Sequence, residues 1–161
     1  MEKAYLDIET SFWGEITVVG IFGPPGELIQ IVSPDITVEE LLRSLEGIEQ
    51  LVTYWGHRFD LPLIKRHLGI DLRRLFRSVD LADICHRVGL YGGLKSVEKV
   101  LGIPRQTDGL TGADAIVLWH RWRQGDRDAL RILLKYNEED VVNLYLVEKR
   151  LRELNCAGKK F

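Results

Sequence analysis

Cysteine, proline and long apolar runs are all scarce in this 161-residue chain. The two cysteines, Cys85 and Cys156, form neither a disulfide framework nor a zinc site, because their spacing matches no ligand motif. No stretch approaches the roughly 20 apolar residues that a membrane span requires, and no apolar run follows the opening Met-Glu-Lys. The expectation is a reduced, cytoplasmic protein with no membrane association. Charge of one sign is also missing in total, with a net of -2. Its distribution is uneven, however. Residues 1–56 hold 2 basic and 10 acidic residues, whereas residues 57–105 hold 10 basic and 5 acidic. A basic segment beside an acidic one suits a protein that must draw a polyanion toward carboxylates, although solvated faces alone produce such imbalances.

With 45 % hydrophobic residues and no repeat, linker or low-complexity tract, the chain reads as one domain over residues 1–157. Residues 158–161 read as a flexible tail. Alternating and β-branched patterns predict strands at 3–9, 15–22 and 28–32, the last two joined by the Gly23-Pro24-Pro25-Gly26 turn. Thr37 and Glu40 form a capping-box pattern ahead of a helix striped by Val38, Leu41, Leu42 and Leu45 and ended by Gly47. A fourth strand is expected at 50–55, a short helix from Pro62 to Leu68, and a fifth strand around 78–81. Helical patterns follow, with stripes of Val97, Val100 and Leu101, then of Ala115, Leu118, Trp119 and Trp122, and a long helix from about 128 to 154. This order predicts an α/β fold with a mixed five-stranded central sheet flanked by helices.

Four acidic residues sit where apolar ones would be cheaper. Asp7 and Glu9 are two apart on a strand and so share a face, opposite Leu6 and Ile8. Asp60 lies just before a helix, where capping is an ordinary explanation. Asp140 interrupts a stripe of Leu133, Leu144, Val147, Leu151 and Leu154, one turn after Tyr136. Each has a bland reading taken alone. Converging, they would repel unless divalent cations lay among them, and an all-oxygen ligand set suits Mg2+ or Mn2+. The two readings of Asp140 differ in a testable way. A structural Asp140 should be paired with an arginine or a backbone donor, whereas a member of a repelling cluster should gain or lose nothing, or even stabilise the metal-free protein, on losing its charge.

Three segments carry a resemblance. Tyr-Leu-Asp-Ile-Glu-Thr at 5–10, Thr-Tyr-Trp-Gly-His-Arg-Phe-Asp-Leu-Pro at 53–62 and Tyr-Asn-Glu-Glu-Asp at 136–140 resemble the three exonuclease motifs of the DEDD superfamily. The Tyr-x-x-x-Asp spacing is similar to its tyrosine branch, and Gly93 to Glu98 with Leu101-Gly102-Ile103 looks like its predicted exonuclease-like subfamily. The resemblance implies a ribonuclease H-like fold and two divalent cations held by Asp7, Glu9, Asp60 and Asp140, with Tyr136 orienting the attacking water. It further implies 3′–5′ exonuclease action on single-stranded DNA or RNA. A structure-selective endonuclease and an inactive nucleic-acid or protein-binding module of the same fold stay open as alternatives. The second motif departs from the family in having Trp55 where asparagine is frequent.

Substrate-contact candidates are Thr10, Trp55, His57, Arg58 and Lys95, with Trp55 suited to base stacking and Arg58, Lys65, Arg66, Arg73, Arg74 and Lys95 to a phosphate path. Trp119 and Trp122 read as packing residues and Cys85 as a small core residue. His86 with Asp80 and Asp83 forms a weak second metal-site pattern. Targeting or processivity would fall to a protein partner or an oligomer.

Overall fold

A computed structural model describes residues 2–24 and 26–156, except the side chain of Cys156, so the expected tail lies outside the described residues. Five strands form one sheet: β1 (Lys3–Thr10), β2 (Ile16–Gly23), β3 (Glu27–Val32), β4 (Gln50–Thr53) and β5 (Arg77–Asp80). Their order is β3-β2-β1-β4-β5, with β1, β2 and β3 antiparallel and β4 and β5 added parallel to β1. The predicted mixed sheet is therefore correct in number, type and order of segments.

Side-chain parity along β1 decides what each face holds. Ala4, Leu6 and Ile8 point into a core built with Leu41 and Leu45 around helix α1 (Val38–Ser44), Leu61 and Ile64 of α2 (Asp60–Leu68), and Leu72 of α3 (Leu72–Leu75). Tyr5, Asp7 and Glu9 point the other way, toward the 30-residue helix α7 (Arg127–Cys156). There Tyr5, Phe22 and Val52 pack against Val141, Leu144 and Val147, together with Leu81 and Cys85 of α4 (Leu81–Arg87) and Val97 of α5 (Leu94–Leu101). Val18, Leu133 and Tyr136 meet Ala115, Leu118 and Trp119 of α6 (Gly112–Arg123) in a third cluster that also takes Trp122. The tryptophans pack as expected. Among the described residues no helix is long and apolar enough to cross a membrane.

Several boundaries move. Strand β4 stops at Thr53 rather than residue 55, because Trp55 turns to φ +60° and Gly56 lies so close to Thr53 that a Cβ would meet its side chain at 2.3 Å. A tight turn replaces the last two strand residues and throws Asp60 toward β1. Helix α1 ends at Ser44, three residues before Gly47, and Thr37 caps it through the Glu40 N–H. Val100 is 63 % exposed and leaves the α5 stripe that periodicity assigned it. Helix α3 and the full extent of α4 lacked a sequence signal strong enough to place them.

Gly20 of β2 sits opposite Asp7 in register. A Cβ there would lie 2.2 Å from Asn137 Oδ1 of α7, so the absence of a side chain is what lets α7 approach the sheet at this level. Overpacking of this kind costs about 1–3 kcal/mol. Gly20→Ala is expected to lower the melting temperature by several degrees, as read by circular dichroism. Gly23→Ala, where the nearest atom is 4.0 Å away, serves as the control and should change it little.

Candidate metal centre

Three of the four carboxylates meet in one place. One oxygen from each of Asp7, Glu9 and Asp140 lies within 4.8 Å of the others, so the predicted convergence of the first and third motifs is present. Asp60 stands beside the triad rather than in it. It begins α2 without acting as its cap, and its Oδ1 instead accepts from the Ile8 N–H at 3.1 Å, between the two β1 acids. The capping explanation for Asp60 does not hold.

The electrostatics are those of crowded anions. Burial, then Asp140, Glu9 and Asp60, push the Asp7 carboxyl well above the usual carboxylate range, although Asp7 keeps a rim of solvent contact. Glu9 is raised in the same way, by burial and then by Asp140. Asp60 is pushed up to about 7, chiefly by burial, against the opposing Ile8 hydrogen bond. Asp140 is also raised by burial, with Arg105 working against the rise. Glu9 Oε1 is buried and has no hydrogen-bond partner among the described residues. An all-oxygen donor set with an orphaned carboxylate oxygen fits a hard divalent cation.

Four neighbours organise the cluster, and sequence patterns pointed to only one of them, Lys95. Asn137, fully buried, donates to Asp7 Oδ2 at 3.3 Å while its Oδ1 accepts from Gln30 at 3.1 Å. Arg105, from the loop after α5, donates to Asp140 Oδ1 at 2.5 Å and forks onto Glu98 at 2.6 and 2.9 Å. Asp140 thus has the arginine partner of the structural reading and the carboxylate neighbours of the cluster reading. The two were not exclusive. Lys95, expected on a phosphate path, donates to the Tyr136 hydroxyl and lies 4.2 Å from the centre of its ring. Tyr136 is 3 % exposed, and burial followed by Asp140, Glu9 and Asp7 raises its pKa, so the phenol stays protonated. Asn137 and Glu98 lie inside segments that carry the family resemblance, but their roles have no local signal, since Asn137 and Arg105 act on residues 130 and 35 positions away and Glu98 acts through Arg105.

The second motif is a structured turn. Asp80 Oδ1 accepts from Trp55 N–H at 2.8 Å and Ala82 N–H at 3.1 Å, and its Oδ2 accepts from His57 N–H at 3.1 Å. His57 Nε2 pairs with Ser78 Oγ at 2.6 Å. His57, rather than His86, joins Asp80 and Asp83 in a ligand-like group, but both Asp80 oxygens already hold backbone. His86 packs against the rings of Trp55 and Tyr91. Trp55 is half-buried, and the Arg58 guanidinium covers one face of its indole at 4.8 Å. Thr10 lies past a register shift that follows Glu9. Beyond it the β1–β2 turn exposes Phe12 (63 %) and Trp13 (78 %), both against His120. Two aromatics in a turn were the overlooked signal for a surface feature. A groove of about 520 Å³ opens next to His57, with Arg73, Arg74 and Phe76 in its walls.

A family profile described as the RNase_H superfamily matches residues 4–152. Among solved structures, the family B DNA polymerase from the hyperthermophilic archaeon Pyrobaculum calidifontis superposes with a TM-score of 0.74 at 18 % identity, over 94 % of this chain. This chain spans 24 % of the length of that polymerase. The EXD2 exonuclease domain soaked in Mn and GMP gives 0.41 at 19 % identity, covering 94 % of this chain and 81 % of that one. The same domain soaked in Mg and dGMP gives 0.41 at 22 %, covering 87 % and 80 %. No curated protein matches.

The raised carboxyls set a pH dependence. A carboxyl with a raised folded-state pKa binds a proton that the unfolded chain has already released, so its ionisation destabilises the fold. With Asp60 at about 7, the window runs from about pH 4, the unfolded value, to pH 7. Glu139 and Glu148 are lowered instead, and their contribution is lost only at more acidic pH. In EDTA the melting temperature should fall by roughly 5–10 °C between pH 5 and pH 8. Millimolar Mn2+ should recover most of it at pH 8. A melting temperature that is flat or rises across that window in EDTA would count against the cluster.

Proposed function

The chain belongs to the ribonuclease H superfamily, and from that premise we propose that it is a metal-dependent nuclease of the tyrosine-branch DEDD type, acting as a 3′–5′ exonuclease on single-stranded nucleic acid. The observation that carries this reading is the meeting of Asp7, Glu9 and Asp140 beside Asp60, under the protonated phenol of Tyr136.

Two divalent cations held by Asp7, Glu9, Asp60 and Asp140 would supply Lewis-acid stabilisation of the attacking and leaving oxygens in an in-line displacement at phosphorus. The protein's own contribution is geometric. Asn137 of α7 fixes the Asp7 carboxylate, and the Ile8 N–H of β1 fixes that of Asp60. Lys95 occupies an acceptor lone pair of the Tyr136 oxygen, which leaves the hydroxyl proton to orient a water molecule. The exposed rings of Phe12 and Trp13 follow directly from the β1 acids and suit stacking on bases at a strand end. Arg58, Arg73 and Arg74 are exposed on the side of the second motif and offer charge to a phosphate backbone.

End-labelled single- and double-stranded DNA and RNA, incubated with Mn2+, Mg2+ or EDTA, test the reading. A ladder shortening from the 3′ end of single strands, abolished by EDTA, is expected. Discrete internal cuts would point to an endonuclease, and binding without cleavage to an inactive module. Tyr136→Phe should reduce turnover by roughly 10²- to 10⁴-fold while Mn2+ binding persists. Near-normal turnover in that variant would make Tyr136 a packing residue.

Binding should also be salt-dependent. Each phosphate contact contributes a slope of about -0.7 in log K against log salt for a single strand. Replacing Arg73 and Arg74 together by alanine should flatten the slope measured by fluorescence anisotropy. An unchanged slope would remove that groove from the substrate path.

A further inference from the structure

We propose that Arg105 is a positioning residue for metal binding: it fixes the Asp140 carboxylate, and is itself aimed by Glu98 and by a loop that Glu139 holds. The inference rests on the metal-nuclease reading and extends it to Arg105 and Glu98, which lie outside the three motifs.

The geometry is more elaborate than a stabilising ion pair requires. The Arg105 side chain is 4 % exposed and that of Glu98 is 2 % exposed, and the two are joined by two bonds, from Nε and Nη2. That fork already compensates both charges. Nη2 nevertheless makes a further bond, to Asp140 Oδ1. The bond selects one oxygen and so orients the plane of a carboxylate that lies among Asp7 and Glu9. The loop is aimed independently of this contact. Glu139, the residue before Asp140, accepts from the Gln106 N–H at 2.6 Å and the Thr107 N–H at 2.9 Å, and from the Thr107 hydroxyl. Consecutive residues of α7 thus hold consecutive residues of the 105–107 loop, and Arg105 has little freedom to swing away.

Two effects of Arg105 on a cation oppose each other. Its positive charge repels the ion, and its hydrogen bond presents a ligand ready-made. Glu98 decides between them. With the guanidinium forked onto a buried carboxylate, the pair is close to neutral as seen from the cluster, so orientation outweighs repulsion. Partners of this kind, behind a metal ligand, commonly change metal affinity 10- to 100-fold.

The test is Mn2+ titration calorimetry on the full chain, with melts in EDTA run alongside. Removing Arg105 alone would strand Glu98 as a buried unpaired charge, so the first variant is Arg105→Met with Glu98→Met, which removes the pair together. This variant is expected to fold and to bind Mn2+ roughly 10- to 100-fold more weakly than the parent. A folded variant with the parent's Mn2+ affinity overturns the proposal. Arg105→Lys, which keeps the charge and loses the fork, carries the test if the double variant does not fold. It should bind Mn2+ more weakly than the parent, and parental affinity again overturns the proposal. Absence of Mn2+ binding by the parent protein would defeat the metal reading itself, a different failure from parental affinity in the variants.

Discussion

Mutual repulsion among desolvated carboxylates is the constraint around which this molecule is arranged. Asp7, Glu9, Asp60 and Asp140 come from a central strand, a helix start and the middle of a 30-residue helix, and all four are held above their ordinary pKa. Burying even one charge is costly, and four near one another are tolerable only with specific compensation. That compensation accounts for several otherwise isolated features. Gly20 has no Cβ so that Asn137 can come close to Asp7, Ile8 lends its N–H to Asp60, and the loop after α5 delivers Arg105 to Asp140.

The fold meets this constraint by separating two jobs across one strand. The face of β1 carrying Ala4, Leu6 and Ile8 closes a hydrophobic core with α1 and α2 and contributes apolar burial. The other face carries Tyr5, Asp7 and Glu9 toward α7 and gives up part of that gain. Tyr5 anchors the far end of this face by bonding to Glu148, which Lys3 and Arg152 also hold at 2.6 Å. Helix α7 is therefore tied to β1 by an ionic cluster at Glu148 and by Asn137 at Asp7, and Asp140 lies between these ties along the helix.

What the sequence made legible follows from periodicity. Alternation of period two placed Asp7 and Glu9 on one face, and a broken apolar stripe singled out Asp140. Both are local patterns, and both survive in the fold. The roles of Arg105, Asn137 and Gln30 were not legible, because their partners lie on separate elements, and that of Glu98 follows only from Arg105. A strand over 50–55 is two residues longer than β4 because Tyr54 and Trp55 have strong β propensity, which tertiary contacts from Asp80 override. Val100 fits a helical stripe in spacing alone, but the inward face of α5 is made by Leu94, Val97, Glu98 and Leu101, which turns Val100 to solvent. For Asp140 the structural and functional readings exclude each other only if a carboxylate has one partner at a time, and this one has both an arginine and carboxylate neighbours.

The kind of donor given to each carboxylate carries the last inference about the site. Asp140 is offered a charged donor, the Arg105 guanidinium, whose charge the buried Glu98 largely offsets. Glu9 feels Lys95, but its Oε1 has no donor among the described residues. Asp7, whose carboxyl feels all three of its acidic neighbours, receives its side-chain hydrogen bond among the described residues from the neutral amide of Asn137. A cluster arranged for stability in isolation would place its cations where repulsion is greatest, since charge-assisted bonds are roughly twice as strong as neutral ones. Here the cationic groups flank the cluster at Asp140 and Tyr136, and dipoles serve its centre. That arrangement leaves Asp7 and Glu9 the least compensated of the four, and there a divalent cation would relieve the most repulsion.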